Sequence, residues 1–211
     1  MKKLLLCICA MILCTSAGSA QTQTWIGFGP FLSVKPGVNM SEIMDGRKTG
    51  LTVVAPDFGG TLLLSLKNIK LGIMLDLGYN TCKVLDKPEN NPPDNQIITT
   101  SVNYFSIAPS FTYSGLVIGL NIGMPLSASM DTKAGDNLTK FNDKTDNFNS
   151  LMELRFGGMI PLVEDATGRL NITIMGNYML STLVKNDNTS FNPSVGSISV
   201  GINYLFTVAN Q

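Results

Sequence analysis

The chain has 211 residues, fifteen basic against fifteen acidic side chains, four cysteines and no histidine. Without histidine the commonest general base and the commonest metal ligand are missing, and the balanced charge gives no electrostatic footprint for nucleic acid. The length suits a single domain.

Residues 1–20 have the pattern of a secretion signal. Lys2 and Lys3 form the positive start, Leu4 to Leu13 the apolar run, and Gly18-Ser19-Ala20 a small-residue cleavage site. Cleavage is expected near Ala20, leaving residues 21–211 as the mature domain. The apolar run is shorter than the ~20 residues a helix needs to span a bilayer. Lipidation at Cys14 is the competing reading, although Met11-Ile12-Leu13 lacks the small residue usual before a lipidated cysteine. Cys7, Cys9 and Cys14 leave with the signal, so Cys82 stands alone and neither a disulfide framework nor a thiolate metal cluster can form. Removal of Lys2 and Lys3 leaves thirteen basic against fifteen acidic residues.

In chain order, Trp25 to Leu32 reads as a first strand, with Pro30 tolerable at a bulge or an edge. Ser33 to Asp57 reads as a long polar loop, with turn chemistry at Lys35-Pro36-Gly37 and Asp45-Gly46-Arg47-Lys48. Within it, Ser41-Glu42-Ile43-Met44 has the composition of one helical turn. Phe58 to Leu66 is a second strand, with Leu62, Leu64 and Leu66 on one face against Thr61, Leu63 and Ser65. Lys67-Asn68 is expected to reverse the chain. The third strand then alternates Ile69, Leu71, Ile73, Leu75, Leu77 and Tyr79 against Lys70, Gly72, Met74, Asp76, Gly78 and Asn80.

A polar loop from Lys83 to Asn95 follows. The fourth strand, Ile97 to Tyr113, sets Phe105, Ile107, Phe111 and Tyr113 against Tyr104, Ser106, Ala108, Ser110 and Thr112, and Pro109 predicts a bulge. Ser114-Gly115 is a hairpin turn. The fifth strand runs from Leu116 to Ser127, and Asp131 to Asn149 reads as a charged loop. The sixth strand sets Met152, Leu154, Phe156, Ile160 and Leu162 against Glu153, Arg155, Gly157 and Met159. After a short Glu164–Arg169 connection, the seventh sets Leu170, Ile172, Ile174 and Tyr178 against Asn171, Thr173, Met175 and Asn177. A last loop leads to the eighth strand, where Ile198, Val200, Ile202, Tyr204 and Phe206 oppose Ser197, Ser199, Gly201, Asn203 and Leu205.

Eight strands with alternately long and short connections predict an all-β fold, an eight-stranded antiparallel up-and-down transmembrane β-barrel. The polarity supports this over a soluble barrel, whose outer face carries charges around an apolar interior. Here one face is apolar, the other is mostly glycine, serine, threonine and asparagine, and nearly all charges fall in loops. A secreted or periplasmic β-sandwich is the alternative.

The secretion signal, the long-short rhythm and the aromatic end of the last strand resemble the small outer-membrane barrels of the OmpX/OmpA type. Pro36-Gly37-Val38-Asn39-Met40-Ser41 and Tyr104-Phe105-Ser106-Ile107-Ala108-Pro109 are similar to segments of the PorT-like barrels of Bacteroidota. Proteobacterial members often end on an aromatic, whereas here Phe206 is followed by Thr207-Val208-Ala209-Asn210-Gln211. The resemblance implies export across the inner membrane of a Gram-negative bacterium and residence in the outer membrane, with outer-membrane lipid and the barrel-assembly machinery as partners. It supplies no catalytic residue.

Asp76, Glu153 and Arg155 are the charges expected well inside strands, all on the inner face; Lys70 shares that face near a short turn. They form either a gate that exchanges ion-pair partners or a filler network that satisfies an interior too narrow for more than side chains. Asp76 with Glu153 as an acid–base pair lacks a nucleophile or metal to act with. Asp131, Asp136, Asp143 and Asp146 offer oxygen ligands to calcium, without the closing glutamate and glycine of an EF-hand. Cys82 is expected to be an unpaired thiol near the outer end of its strand, open to pairing between molecules. No enzyme activity, cofactor or bound metal is expected. The function expected is a structural or surface-interaction role through long outer loops, with an extracellular or periplasmic protein as partner. A narrow passive pore or the barrel of an export apparatus is the alternative.

Overall fold

The computed structural model describes residues 23–40, 47–52, 56–88, 97–134, 137–143, 145–185 and 194–210. The expected signal segment, the helical turn near Ser41–Met44 and the centre of the Glu89–Asp94 loop lie outside these residues. Alternating apolar and small polar side chains produce eleven strands: β1 (Thr24–Val34), β2 (Gly37–Asn39), β3 (Arg47–Gly50), β4 (Asp57–Leu66), β5 (Leu71–Pro88), β6 (Ile97–Tyr113), β7 (Leu116–Ala134), β8 (Asn137–Asp143), β9 (Leu151–Glu164), β10 (Gly168–Met179) and β11 (Val195–Asn210). Among the described residues no helix is long and apolar enough to cross a membrane.

Eight of the strands form a closed antiparallel ring in the order β1-β4-β5-β6-β7-β9-β10-β11, and β11 pairs back onto β1 from Trp25↔Asn210 to Val34↔Val200. Closure leaves no free edge around the ring. The expected inside-out polarity holds strand by strand. Outward-facing Ile198, Val200, Ile202 and Phe206 are exposed, while Ser199, Asn203 and Leu205 are buried. Within the apolar band of the ring, from Leu71 to Tyr79 on β5 and from Leu116 to Met124 on β7, no charged side chain faces outward; Lys83, Lys87 and Asp131 take outward positions only in the strand extensions beyond it.

Several boundaries differ from the sequence expectation. Ser33–Asp57 is not one loop: β1 and β2 are a single strand interrupted at Lys35-Pro36. Val34↔Val200 and Gly37↔Ser197 keep one register against β11, and the Pro36 carbonyl accepts from Ile198 N across the break. Strand β3 pairs with the far end of β5, and Gly37 bridges to Thr52. Asp131–Asn149 is likewise not a plain loop. Strand β7 runs on to Ala134 and turns into β8, which pairs back on it, followed by a 3-10 turn at Thr145–Asn147. Barrel strands thus continue as hairpins beyond one end of the ring.

At the other end the connections are tight. The Lys67-Asn68 reversal takes four residues rather than two, because Leu66 pairs with Leu71 and Lys70 adopts a left-handed φ of 54°. Ser114 and Gly115, both at positive φ, form the expected two-residue turn between Tyr113 and Leu116. Neither Pro30 nor Pro109 sits at a bulge. Each lacks an N–H, so pairing on one side skips it: Gly29-Pro30 against β11 and Ala108-Pro109 against β7, while Leu75↔Pro109 remains in register on the other side. The register shifts instead leave Leu126, Leu162 and Val208 as the extra residues. Two of these directly follow Pro125 and Pro161.

Candidate functional site

Inward-facing residues on the eight strands should be mostly small and polar by the sequence pattern. The interior is layered instead. Toward the short-turn end, Trp25, Leu63, Met74, Val117, Met159, Met175 and Leu205 pack into one apolar plug. Toward the hairpin end, Cys82, Val84, Val102, Tyr104, Leu151, Met179, Leu183 and Val195 belong to a second. Between them lies a polar belt. The order is visible along single strands: Met74, Asp76, Asn80, Cys82 on β5, and Met159, Arg155, Glu153, Leu151 on β9.

All three charges expected in the lumen, Asp76, Glu153 and Arg155, are in the belt, but they do not form one cluster. Arg155 Nη1 pairs with Asp76 Oδ2 at 2.9 Å, and the other Asp76 oxygen accepts from Thr61 Oγ1 at 2.6 Å. Glu153, 1% exposed, accepts from Asn121 Nδ2 at 2.8 Å. Its other oxygen meets Lys35 Nζ at 3.3 Å. Lys35 also donates to Asn80 Oδ1 at 2.7 Å and lies 3.8 Å from Asp57 Oδ2. Asp57 in turn accepts from Thr81 N at 2.8 Å and Asn80 Nδ2 at 3.2 Å.

Lys35 and Asp57 were expected in a loop and are instead buried in the belt. Parity would have found Lys35: with Trp25, Gly27, Gly29, Phe31 and Ser33 pointing inward, the next inward position is 35. The turn chemistry of Lys35-Pro36-Gly37 masks that continuation. Lys70, by contrast, is exposed in the turn.

A buried lysine and a partly buried arginine thus meet three buried carboxylates, each carboxylate with at least two polar partners. That satisfaction offsets the heavy desolvation of interior charges. A cavity of only about 30 Å³ remains among Asp57, Asp76, Asn121 and Arg155, room for roughly one water. With Asp76 and Glu153 each locked to a different cation, the arrangement presents no free acid–base pair.

Cys82 is buried in the upper plug and free, so the expected possibility of pairing between molecules is closed off by packing. Of the four loop acids considered for calcium, Asp131 and Asp146 are described, and the side chains of Asp136 and Asp143 lie outside the described residues. Among the described residues no group of His, Cys, Asp or Glu is placed to hold a metal ion.

No protein-family model and no curated protein sequence matches the chain. Among solved structures the chain is similar to Ail, the attachment invasion locus protein of Yersinia pestis, at 12% identity, with a TM-score of 0.39 over 88% of this chain and 99% of that one. It is similar to Neisserial surface protein A at 12% identity and a TM-score of 0.38, over 84% of this chain and 95% of that one. The outer membrane protein OprG from Pseudomonas aeruginosa gives 13% identity and a TM-score of 0.34, over 88% and 96% of the two chains.

Proposed function

We propose that this chain is an integral outer-membrane β-barrel with a closed lumen, acting without catalysis as a structural or surface-interaction protein through its long hairpins. One observation carries the reading. A band around the outside of a closed ring is apolar and uncharged, while five ionisable side chains are paired within it. Water as the surrounding solvent would favour the reverse distribution, whereas hydrocarbon makes outward lysine or arginine cost roughly 2–4 kcal/mol at the midplane.

The height fits as well. From Leu66 to Phe58 the β4 outer face stays apolar, and about eight rises of ~3.3 Å each, foreshortened by tilt, approach the ~25 Å apolar band of outer-membrane barrels. At its upper border Phe58 stacks on Tyr79 at 5.4 Å between ring centroids, where aromatic girdles lie in such barrels. Export through cleavage near Ala20, assembly by barrel-assembly machinery and a protein partner at the hairpins belong to the same proposal.

A passive pore is the weaker reading, because the polar belt and the two apolar plugs block the lumen. A PorT-like export role rests on two short segments, of which Pro36–Met40 and Tyr104–Pro109 are ordinary strand or strand-break residues in this ring. The test is fractionation. The mature chain should need detergent for extraction and migrate faster unboiled than boiled; a chain that stays soluble without detergent overturns the membrane reading.

A further inference from the structure

At the short-turn end the lumen opens into a cup of about 620 Å³, within the ~300–1,000 Å³ usual for small-ligand pockets. Leu63 and Met159, the underside of the lower plug, line it together with Asn171. The hydroxyl-bearing residues Ser65 and Thr112 border it, and Lys67, Lys70 and Arg169 supply its positive charge.

These charges are not balanced. Arg169 pairs with Glu164 at 2.7 Å, but no carboxylate among the described residues pairs with Lys67 or Lys70. The turn that carries the lysines is braced. Ser114 N donates to the Lys70 carbonyl at 2.9 Å, and Met159 N donates to that of Gly115 at 2.7 Å, tying neighbouring turns and β9 together.

Two polar atoms of the lining residues have no partner. Asn171 is fully buried, and its Nδ2 is committed to Asn203 Oδ1 at 2.7 Å, which leaves Oδ1 as an unused acceptor. Arg169 Nε is an unused donor. Orphaned buried groups of this kind are costly unless something completes them. A ligand that suits both must accept from the cations and donate a hydroxyl. Compact lysine charges with neighbouring hydroxyls suit phosphate.

We propose that the cup binds a phosphate ester bearing free hydroxyls, of the glycerol phosphate type. Lys67, Lys70 and Arg169 face its phosphate, and Asn171 Oδ1 takes one of its hydroxyls. Such a head occurs both in soluble esters and in phospholipids. The site needs the closed ring but not the membrane assignment.

The chain contains one tryptophan, and the Arg169 guanidinium lies 4.7 Å from the Trp25 ring centroid. Trp25 fluorescence therefore reports on any ligand that draws Arg169 away. The experiment titrates the folded barrel, in zwitterionic detergent and checked by unboiled mobility, with glycerol 3-phosphate and with dihexanoyl phosphatidylglycerol. The expected result is a saturable change for at least one of them, weakened by salt. The Lys67→Gln/Lys70→Asn double variant should bind about tenfold more weakly. Asparagine tolerates the left-handed backbone at position 70, so unboiled mobility should be retained. Saturation with the soluble ester alone identifies a free metabolite as the source, with the lipid alone a headgroup, and with both the shared head. No saturable change up to about 10 mM, or equal affinity in the double variant, overturns the proposal and leaves the barrel itself untouched.

Discussion

Lys35 Nζ lies 3.3 Å from Glu153 Oε1 although 118 residues separate them. The contact joins the break between β1 and β2 to β9 across the lumen, and both side chains are nearly inaccessible to solvent. Removing one partner leaves uncompensated charge in a low dielectric. Lys35→Met should therefore destabilise the folded barrel by about 3–5 kcal/mol, measured by denaturant unfolding in detergent or lipid vesicles. Adding Glu153→Gln should recover part of that loss, since the pair is removed together. A Lys35→Met barrel as stable as the parent would mean that the belt is not held by this pair.

The lumen is closed by three successive layers, so the polar belt is not the only obstruction. Planar-bilayer recordings should find the barrel electrically silent. Arg155→Ala, which frees Asp76 from its 2.9 Å partner, should stay silent as well, because the apolar plugs above and below are untouched. Steady conductance of the parent barrel would contradict a filled interior. Channel openings confined to Arg155→Ala would instead make the Arg155–Asp76 pair a gate.

Cys82 is 2% exposed within the upper plug. A polyethylene-glycol maleimide should not label it in the folded barrel and should label it fully on boiling in detergent. Rapid labelling of the unboiled form would place the thiol outside the lumen.

Gly29 faces inward where β1 skips two pairings with β11, and a Cβ there would collide with the Tyr204 carbonyl and approach Leu205 Cα at 3.3 Å. Backbone cannot yield as a flexible side chain can. Gly29→Val should thus impair closure, seen as loss of the fast-migrating unboiled band, whereas Gly60→Val, whose Cβ meets nothing nearer than 3.5 Å, should retain it. Equal mobility of the two variants would argue against a tight seam at Gly29.

Asp165 caps the β9–β10 turn, accepting from Thr167 N at 2.8 Å, Thr167 Oγ1 at 2.6 Å and Gly168 N at 3.0 Å. These donors favour the ionised form and hold its carboxyl below the ordinary range. The sign follows: the turn has its full stabilisation above the ordinary carboxylate value of about 3.9 and loses it as pH falls through the lower folded value. Carbon-detected NMR titration should place Asp165 below that reference. A midpoint at or above it would exclude the capping role.

The ring and its polarity were legible because period two is enforced wherever one face meets an apolar surrounding. Every outward position from Leu71 to Tyr79 follows it. Asp76, Glu153 and Arg155 were legible for the same reason, since a charge on the inner face of an otherwise apolar-faced strand has nowhere else to go. The rest was hidden where that constraint lapses. Beyond the apolar band the outer face is no longer apolar, with Lys83 and Lys87 on β5 and Asp131 on β7, so the extensions of these strands lose the pattern that marks the ring and resemble loops. The layering escaped because Met74, Met159, Met175 and Leu63 each look incidental among small polar neighbours. Only the register between strands shows that they share one level.

The pairing of β1 with β11 carries a consequence for how the molecule is made. Trp25 Nε1 meets Thr207 Oγ1 although the two residues lie 182 positions apart in sequence, so joining these strands draws together nearly the whole chain. Every other neighbouring pair in the ring is consecutive or close to it along the chain and closes a short loop, whereas this one bears the largest loss of chain entropy. The seam is accordingly expected to close after the other pairings. Until it forms, the intermediate is an open, curled sheet, greasy on its convex side and with two unsatisfied edges, a species ill suited to free existence in water.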